Sequence, residues 1–281
     1  MSETVNASNK ESHIEKDMTF IEHLDELRKR LMRGAIAVVL FAIIAFLFKD
    51  FIFDQIILKP KSADFITNRL MCKLGELINT SLCINSQNFQ IINIQLAGQF
   101  KAHLIVSFVI GLMFAFPFLI SQIWKFVKPA LNIGEIKNIN LTLFSVSVLF
   151  TIGILFGYFL IVPLTINFLS TYQVSEAVLN QISFSSYLSI ITGITFATGL
   201  VFELPILIFF LAKIGLVTPG LLRKYRKHAI VIFFILSGII TPPDVFSQVL
   251  VSVPLYLLYE LSIKITVRVV KNNLKKQQEN E

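Results

Sequence analysis

With 281 residues, 54% of them hydrophobic, 27 of them Phe and only 15% charged, the chain carries more apolar side chain than a soluble domain can bury, and its mean hydropathy of +0.72 marks a multi-span helical membrane protein. The net charge of +7 raises nucleic acid as a partner, but the basic residues flank apolar runs and form no groove, so they read as membrane-orienting charges and nucleic acid is excluded.

Residues 1–18 are polar, with neither an apolar core nor a small-residue cleavage site, and read as a disordered tail with no removable signal peptide. Thr19–Arg33 then spells an amphipathic helix. Phe20, Leu24, Leu27 and Leu31 share a stripe, and Glu22, Asp25, Glu26, Arg28, Lys29 and Arg30 fill the rest of the wheel. Such a helix lies along the headgroups. Thr19 with Glu22 reads as a capping box, and the purely apolar sequence from Gly34 carries the helix straight into a first span. The bland reading is a topology anchor with ordinary i,i+4 pairs at Asp25–Lys29 and Glu26–Arg30.

Six apolar segments follow: about Leu31–Phe48, Ala102–Trp124, Ile139–Ser170, Tyr187–Ala212, Ala229–Ile240 and Val245–Tyr259. Basic residues number 6 in 1–33, 3 in 125–137, 5 in 213–227 and 5 in 264–281, against 6 in 49–101 and none in the other two outer loops, which places both termini in the cytoplasm. Ile139–Ser170 carries no charge and at 1.5 Å per residue reaches roughly 48 Å, longer than a hydrocarbon core of about 30 Å, so it must tilt or project; Pro163 is expected to kink it. The last two segments are short and are joined only by Thr241-Pro242-Pro243-Asp244, a tight hairpin in which Asp244 caps the final segment. The organisation is therefore a tail at 1–18, a membrane domain at 19–264 with an outer cap at 49–101, and a cytoplasmic tail at 265–281, with 271–281 reading as disordered.

The outer cap holds the only cysteines, Cys72 and Cys83. Their spacing leaves free thiols or a disulfide open, and the oxidising outer side favours the bridge. On the inner side Thr218 and Pro219 give N-cap and first-turn signals for a basic helix with Arg223, Lys224, Arg226 and Lys227.

Glu203 sits near the middle of the fourth segment, where an acid must be protonated, paired or hydrated. Thr192, Thr195, Gly199 and Glu203 share one narrow arc, and Pro205 frees a backbone carbonyl beside it. A protonated Glu bonded inside the bundle and a polar contact for a passing or docking chain are both open readings. Catalysis has no support: HExxH, GxSxG and Gly-rich phosphate motifs are missing, and Asp244 has no intramembrane acidic partner. Four scattered His and two Cys make no metal site, and no cofactor is expected.

Several of these stretches resemble one family: FIEHLDELRKRL at 20–31, the run from Phe116-Pro117 through Gln122-Ile123-Trp124-Lys125-Phe126-Val127-Lys128-Pro129-Ala130-Leu131, Glu135, Phe202-Glu203-Leu204-Pro205, LRKYRKHAI at 222–230 and TPPDVFSQ at 241–248. Over about Met18–Lys264 the chain resembles TatC, the signal-peptide receptor subunit of the twin-arginine protein translocase. The resemblance implies an all-α, glove-shaped polytopic fold with six transmembrane helices, the last two short, in the inner membrane. It also implies a non-enzymatic role: binding Arg-Arg signal peptides of folded cargo and recruiting single-span TatA-type and TatB-type subunits into a hetero-oligomeric complex surrounded by membrane lipid. Signal-peptide contact carries over to Glu26, Leu24 and Glu135, with Pro117, Phe126 and Pro129 shaping the region; the intramembrane polar positions are Glu203 and Thr195, and the hairpin positions Asp244 and Gln248. The first inner loop, Asn132-Ile133-Gly134-Glu135-Ile136, departs from the strongly charged loop of many members. A competing reading, a proton-coupled solute transporter using Glu203, calls for internal repeats and paired broken helices, and the sequence shows neither.

Overall fold

From Phe20 to Leu47 the chain has no proline and one glycine, so nothing interrupts the helical ladder: the charged amphipathic stretch and the first span form a single 28-residue helix, α1. The computed structural model describes residues 20–62, 64–78, 90–127, 139–175, 180–241 and 245–279, so Thr19 and the expected capping box lie outside the described residues.

The cap after α1 is built from a π-helical turn at Phe51–Ile57, a 3-10 turn at Lys59–Lys61 and helix α2, Ile66–Ile78. A short strand β1, Ile91–Ile92, leads into α3, Gly98–Val127. The third span is α4, Ile139–Phe156, a π-helical segment Gly157–Ile161 and α5, Val162–Thr171. Strand β2, Ile182–Ser183, pairs in parallel with β1 and starts the fourth span, which is α6, Phe184–Val201, and α7, Leu204–Lys213. Gly215, at φ 81, ends α7 in the left-handed turn that glycine enters without strain. Thr218 then accepts from Leu221 N at 3.3 Å to cap α8, Pro219–Lys224, as the sequence expects. The chain ends in α9, Arg226–Ile240, and α10, Val245–Glu279.

Among the described residues five helical stretches are long and apolar enough to cross a membrane; α9, with 15 residues, is the short sixth. One expectation is corrected. Residues 271–279 are not an unstructured tail: α10 runs on as one 35-residue helix beyond the apolar stretch Val245–Tyr259, since no proline or glycine follows Pro254 to stop it.

Proline chemistry explains the break in the third span. Pro163 has no N–H to return to the Phe159 carbonyl, and the Thr67 hydroxyl of α2 donates to that carbonyl instead. Tyr158 and Tyr187 donate to Ile56 O at 2.7 Å and Ile57 O at 3.0 Å, so the cap is sewn to the bundle by hydroxyls that end on backbone carbonyls. Thr67→Val keeps the shape and removes the donor, and is expected to cost about 1–3 kcal/mol. A thermal melt equal to that of the unaltered protein would refute this role for Thr67.

Glycines set the helix approaches. A Cβ on Gly111 of α3 would lie 2.6 Å from the Ala42 nitrogen of α1, and one on Gly153 of α4 would lie 2.9 Å from the Gly199 Cα of α6. Gly157 likewise faces Thr195 and Thr198. Large apolar side chains such as Ile36, Val39, Phe114, Leu141 and Ile232 are left exposed, as lipid-facing residues are.

Candidate functional site

The amino-terminal end of α1 meets α3 through an unexpected face. Leu24, Leu27 and Leu31 are exposed, whereas His23, Glu26, Arg30 and Gly34, spaced by one helical turn, are turned inward. Gly34 permits this because α3 comes so close that a Cβ there would meet Leu119 Cδ2 at 2.8 Å. His23 stacks on Phe126 with ring centroids 4.3 Å apart.

Both i,i+4 ion pairs expected from the sequence are formed, and they differ in setting. Lys29 and Asp25 pair at 2.7 Å with side chains 68% and 52% exposed. Arg30 and Glu26 pair with side chains 18% and 21% exposed. Two guanidinium nitrogens of Arg30, Nε at 2.9 Å and Nη2, donate to Glu26 Oε1, and Glu26 Oε2 is buried with no hydrogen-bond partner among the described residues. Beside the pair lies an apolar cavity of about 390 Å³ between α1 and α3, lined by Leu27, Arg30, Leu31, Gly34, Leu119, Gln122, Ile123 and Phe126. Gln122 is buried and its Oε1 also lacks a partner.

Of the residues that the resemblance assigns to signal contact, the structure brings Glu26 and Phe126 to one place. Leu24 points outward and Pro117 lies deeper in α3, outside the cavity lining. Pro129 and Glu135 lie outside the described residues. Sequence reasoning missed Gln122 and His23 as members of this site; their spacing to Phe126 on α3 and to Glu26 on α1 is the signal that was there to use.

In the membrane interior Glu203 sits at the break between α6 and α7. Its N–H reaches Leu200 O at 3.1 Å, while its own carbonyl accepts from Ile206 and Leu207, each at 3.0 Å. Pro205, with no N–H, sits at the start of α7. Thr192 and Thr198 return their hydroxyls to Leu188 O and Ile194 O, each at 2.7 Å. Thr195 Oγ1 and Glu203 Oε1, by contrast, are buried without a partner among the described residues. The polar arc read from the sequence therefore faces α4 across the glycine contacts, and two of its members keep hydrogen-bonding capacity in reserve.

At the hairpin Gln248 Nε2 donates to Phe234 O at 2.8 Å and ties α10 to α9; Asp244 lies outside the described residues. Missed altogether was a junction between α8, the start of α9 and α10, where Arg226 pairs with Glu260 at 2.8 Å, Tyr256 donates to Glu260 at 3.0 Å and Tyr259 donates to Leu222 O at 2.8 Å. Arg226 and Glu260 are 34 positions apart, so no local pattern links them. In the cap Cys72 is disulfide-bonded, and Cys83 lies outside the described residues.

Comparison with known proteins agrees with this arrangement. Residues 22–254 match the family described as Sec-independent protein translocase protein (TatC). The chain is 40% identical over 258 residues to the TatC of Blattabacterium sp. subsp. Periplaneta americana, covering 91% of this chain and 97% of that one. It is 32% identical over 251 residues to the TatCy of Bacillus subtilis, covering 89% of each. A solved twin-arginine translocase receptor TatC is 30% identical with a TM-score of 0.63 over 89% of this chain and all of its own. A second TatC structure, in DDM, is 32% identical with a TM-score of 0.67 over 87% of this chain and 99% of its own. Sequence, helix order and three-dimensional fold agree, and the chain belongs to the TatC family, a multi-pass membrane component of the Sec-independent, twin-arginine protein translocase.

Proposed function

We propose that the chain is the receptor subunit that binds the Arg-Arg signal sequence of folded cargo at the cytoplasmic face of the inner membrane and recruits TatA-type and TatB-type single-span subunits. Glu26 and Glu135 accept the two arginines. The observation that carries this reading is Glu26 itself: an acid turned toward α3, with one carboxylate oxygen buried and without a hydrogen-bond partner among the described residues, paired to an Arg30 that lines an apolar cavity.

Charge supports it. The inner loops and tails hold 19 of the 25 Lys and Arg residues, so an Arg-Arg ligand is repelled unless carboxylates are placed to accept it, and Glu135 is the only acid between positions 125 and 137. A planar guanidinium can give two bonds to one carboxylate where an ammonium offers a point charge. Each such pair at a partly wet surface contributes about 1–3 kcal/mol, so two acting together are needed for useful selectivity. Glu203 and Thr195 supply a polar contact for a chain inside the membrane, and Gln248 with Asp244 holds the hairpin. A Cys72–Cys83 bridge closes the outer cap; Cys83 is the one other cysteine available to the disulfide of Cys72. The interrupted third and fourth spans are neighbours in the chain, not matching positions in two repeats, so they lend nothing to a solute-transporter reading.

The test is crosslinking of an Arg-Arg signal peptide to the full-length protein in membranes, with Glu26→Ala, Glu135→Ala and the double variant at matched levels. Each single change is expected to weaken crosslinking, and the double to bring it near background. Crosslinking of the double variant equal to the unaltered protein would falsify the assignment.

A further inference from the structure

Resting on the reading of Glu26 as an arginine acceptor, we propose that Arg30 sets the specificity of that acceptor: by occupying Glu26 with its own guanidinium, Arg30 makes the carboxylate answer to an incoming arginine and not to a lysine.

The pair is not an ordinary surface contact. It is much less exposed than the Asp25–Lys29 pair one residue round the same helix, and its Arg30 lines the cavity. Nε and one terminal nitrogen of Arg30 both converge on Oε1, while Oε2 stays buried without a partner among the described residues. A cation from outside therefore meets a carboxylate whose accessible bonding is already held by a fork. An incoming guanidinium can take over the same two bonds and add one at Oε2, so the exchange loses no hydrogen bond at Glu26. The ammonium of a lysine has no fork. It would release two guanidinium bonds at Glu26 and return a point contact. Arg30 also lines the cavity, so its side chain has space in which to move aside when displaced.

A carboxylate without this internal occupant would take either cation. Arg30→Gln should therefore erode discrimination more than it alters arginine binding. Its positive charge also repels any cationic ligand, and Arg28→Gln measures that general effect: Arg28 is exposed, lies on the same helix and has no ion-pair partner among the described residues.

The experiment compares Arg-Arg and Lys-Lys versions of one signal peptide for affinity to the full-length protein, in the unaltered form and in Arg30→Gln, Arg30→Lys, Arg28→Gln and Glu26→Gln, with thermal melts to check folding. Arg30→Gln is expected to raise Lys-Lys affinity by roughly five- to tenfold and Arg-Arg affinity by less than about threefold, so that the ratio falls. Arg28→Gln should raise both alike and keep the ratio. An unchanged ratio in Arg30→Gln, or an equal fall in Arg28→Gln, overturns the proposal. So does a uniform loss of both peptides in Arg30→Gln that Arg30→Lys restores, because that marks Arg30 as a structural anchor of α1. Unchanged Arg-Arg affinity in Glu26→Gln is a separate result that removes the acceptor reading itself.

Discussion

Gly111→Leu should separate α1 from α3 and melt the protein well below its normal temperature, while Gly193→Leu should be tolerated. The contrast follows from what each Cβ would meet. At Gly111 it runs into the backbone nitrogen and Cα of Ala42 at 2.6 and 2.7 Å, atoms that can yield only if the whole helix moves. At Gly193 nothing lies within 4 Å. Overpacking against backbone belongs at the upper end of its usual range, about 3 kcal/mol. Since the α1–α3 contact turns Glu26 toward α3, Gly111→Leu should lose Arg-Arg peptide crosslinking along with stability. Thermal unfolding in detergent and crosslinking in membranes read the two effects; a Gly111→Leu protein that melts and crosslinks normally would show that this contact does not position the site.

Glu203→Gln should accumulate to normal levels and yet export folded Arg-Arg cargo severalfold less well, whereas Glu203→Leu should lose both. Gln keeps the volume and most of the hydrogen bonding at the α6–α7 break but removes a group that can carry charge. Oε1 and the Thr195 hydroxyl two turns away, both without a partner among the described residues, are the features that a docking or passing chain can use. Normal export by Glu203→Gln, with loss of protein in Glu203→Leu, would assign Glu203 to packing alone.

What could be read from the sequence was local. Apolar content and length define the spans, and the Lys and Arg distribution sets the expected orientation, because both reflect transfer between water and lipid and need no partner residue. The break near Pro163 was legible because a missing N–H acts within four residues of itself, whereas the division of the fourth span at Glu203 was not read from Pro205. The ion pairs on α1 follow from helical spacing alone. FIEHLDELRKRL and TPPDVFSQ were distinctive enough to point to the family.

The tertiary structure decided which way α1 faces, and here helical-wheel logic misleads for a physical reason. Water drives an apolar stripe inward in a soluble protein, but lipid tails are as apolar as leucine, so Leu24 gains nothing from turning toward α3. Close approach is decided instead by small residues, Gly34 against Leu119 and Gly111 against Ala42, and these rotate Glu26 and Arg30 into the interface, leaving Leu24 outside and Leu27 and Leu31 exposed at the rim of the cavity. The same rotation separates two pairs that look alike in sequence: Asp25–Lys29 stays in solvent while Glu26–Arg30 borders a cavity. Thr67 on the Phe159 carbonyl, 92 positions away, and Arg226 on Glu260 likewise join residues that only the packed bundle brings together. A buried polar group must find some partner, but which one it finds depends on helices whose relative rotation no single segment encodes.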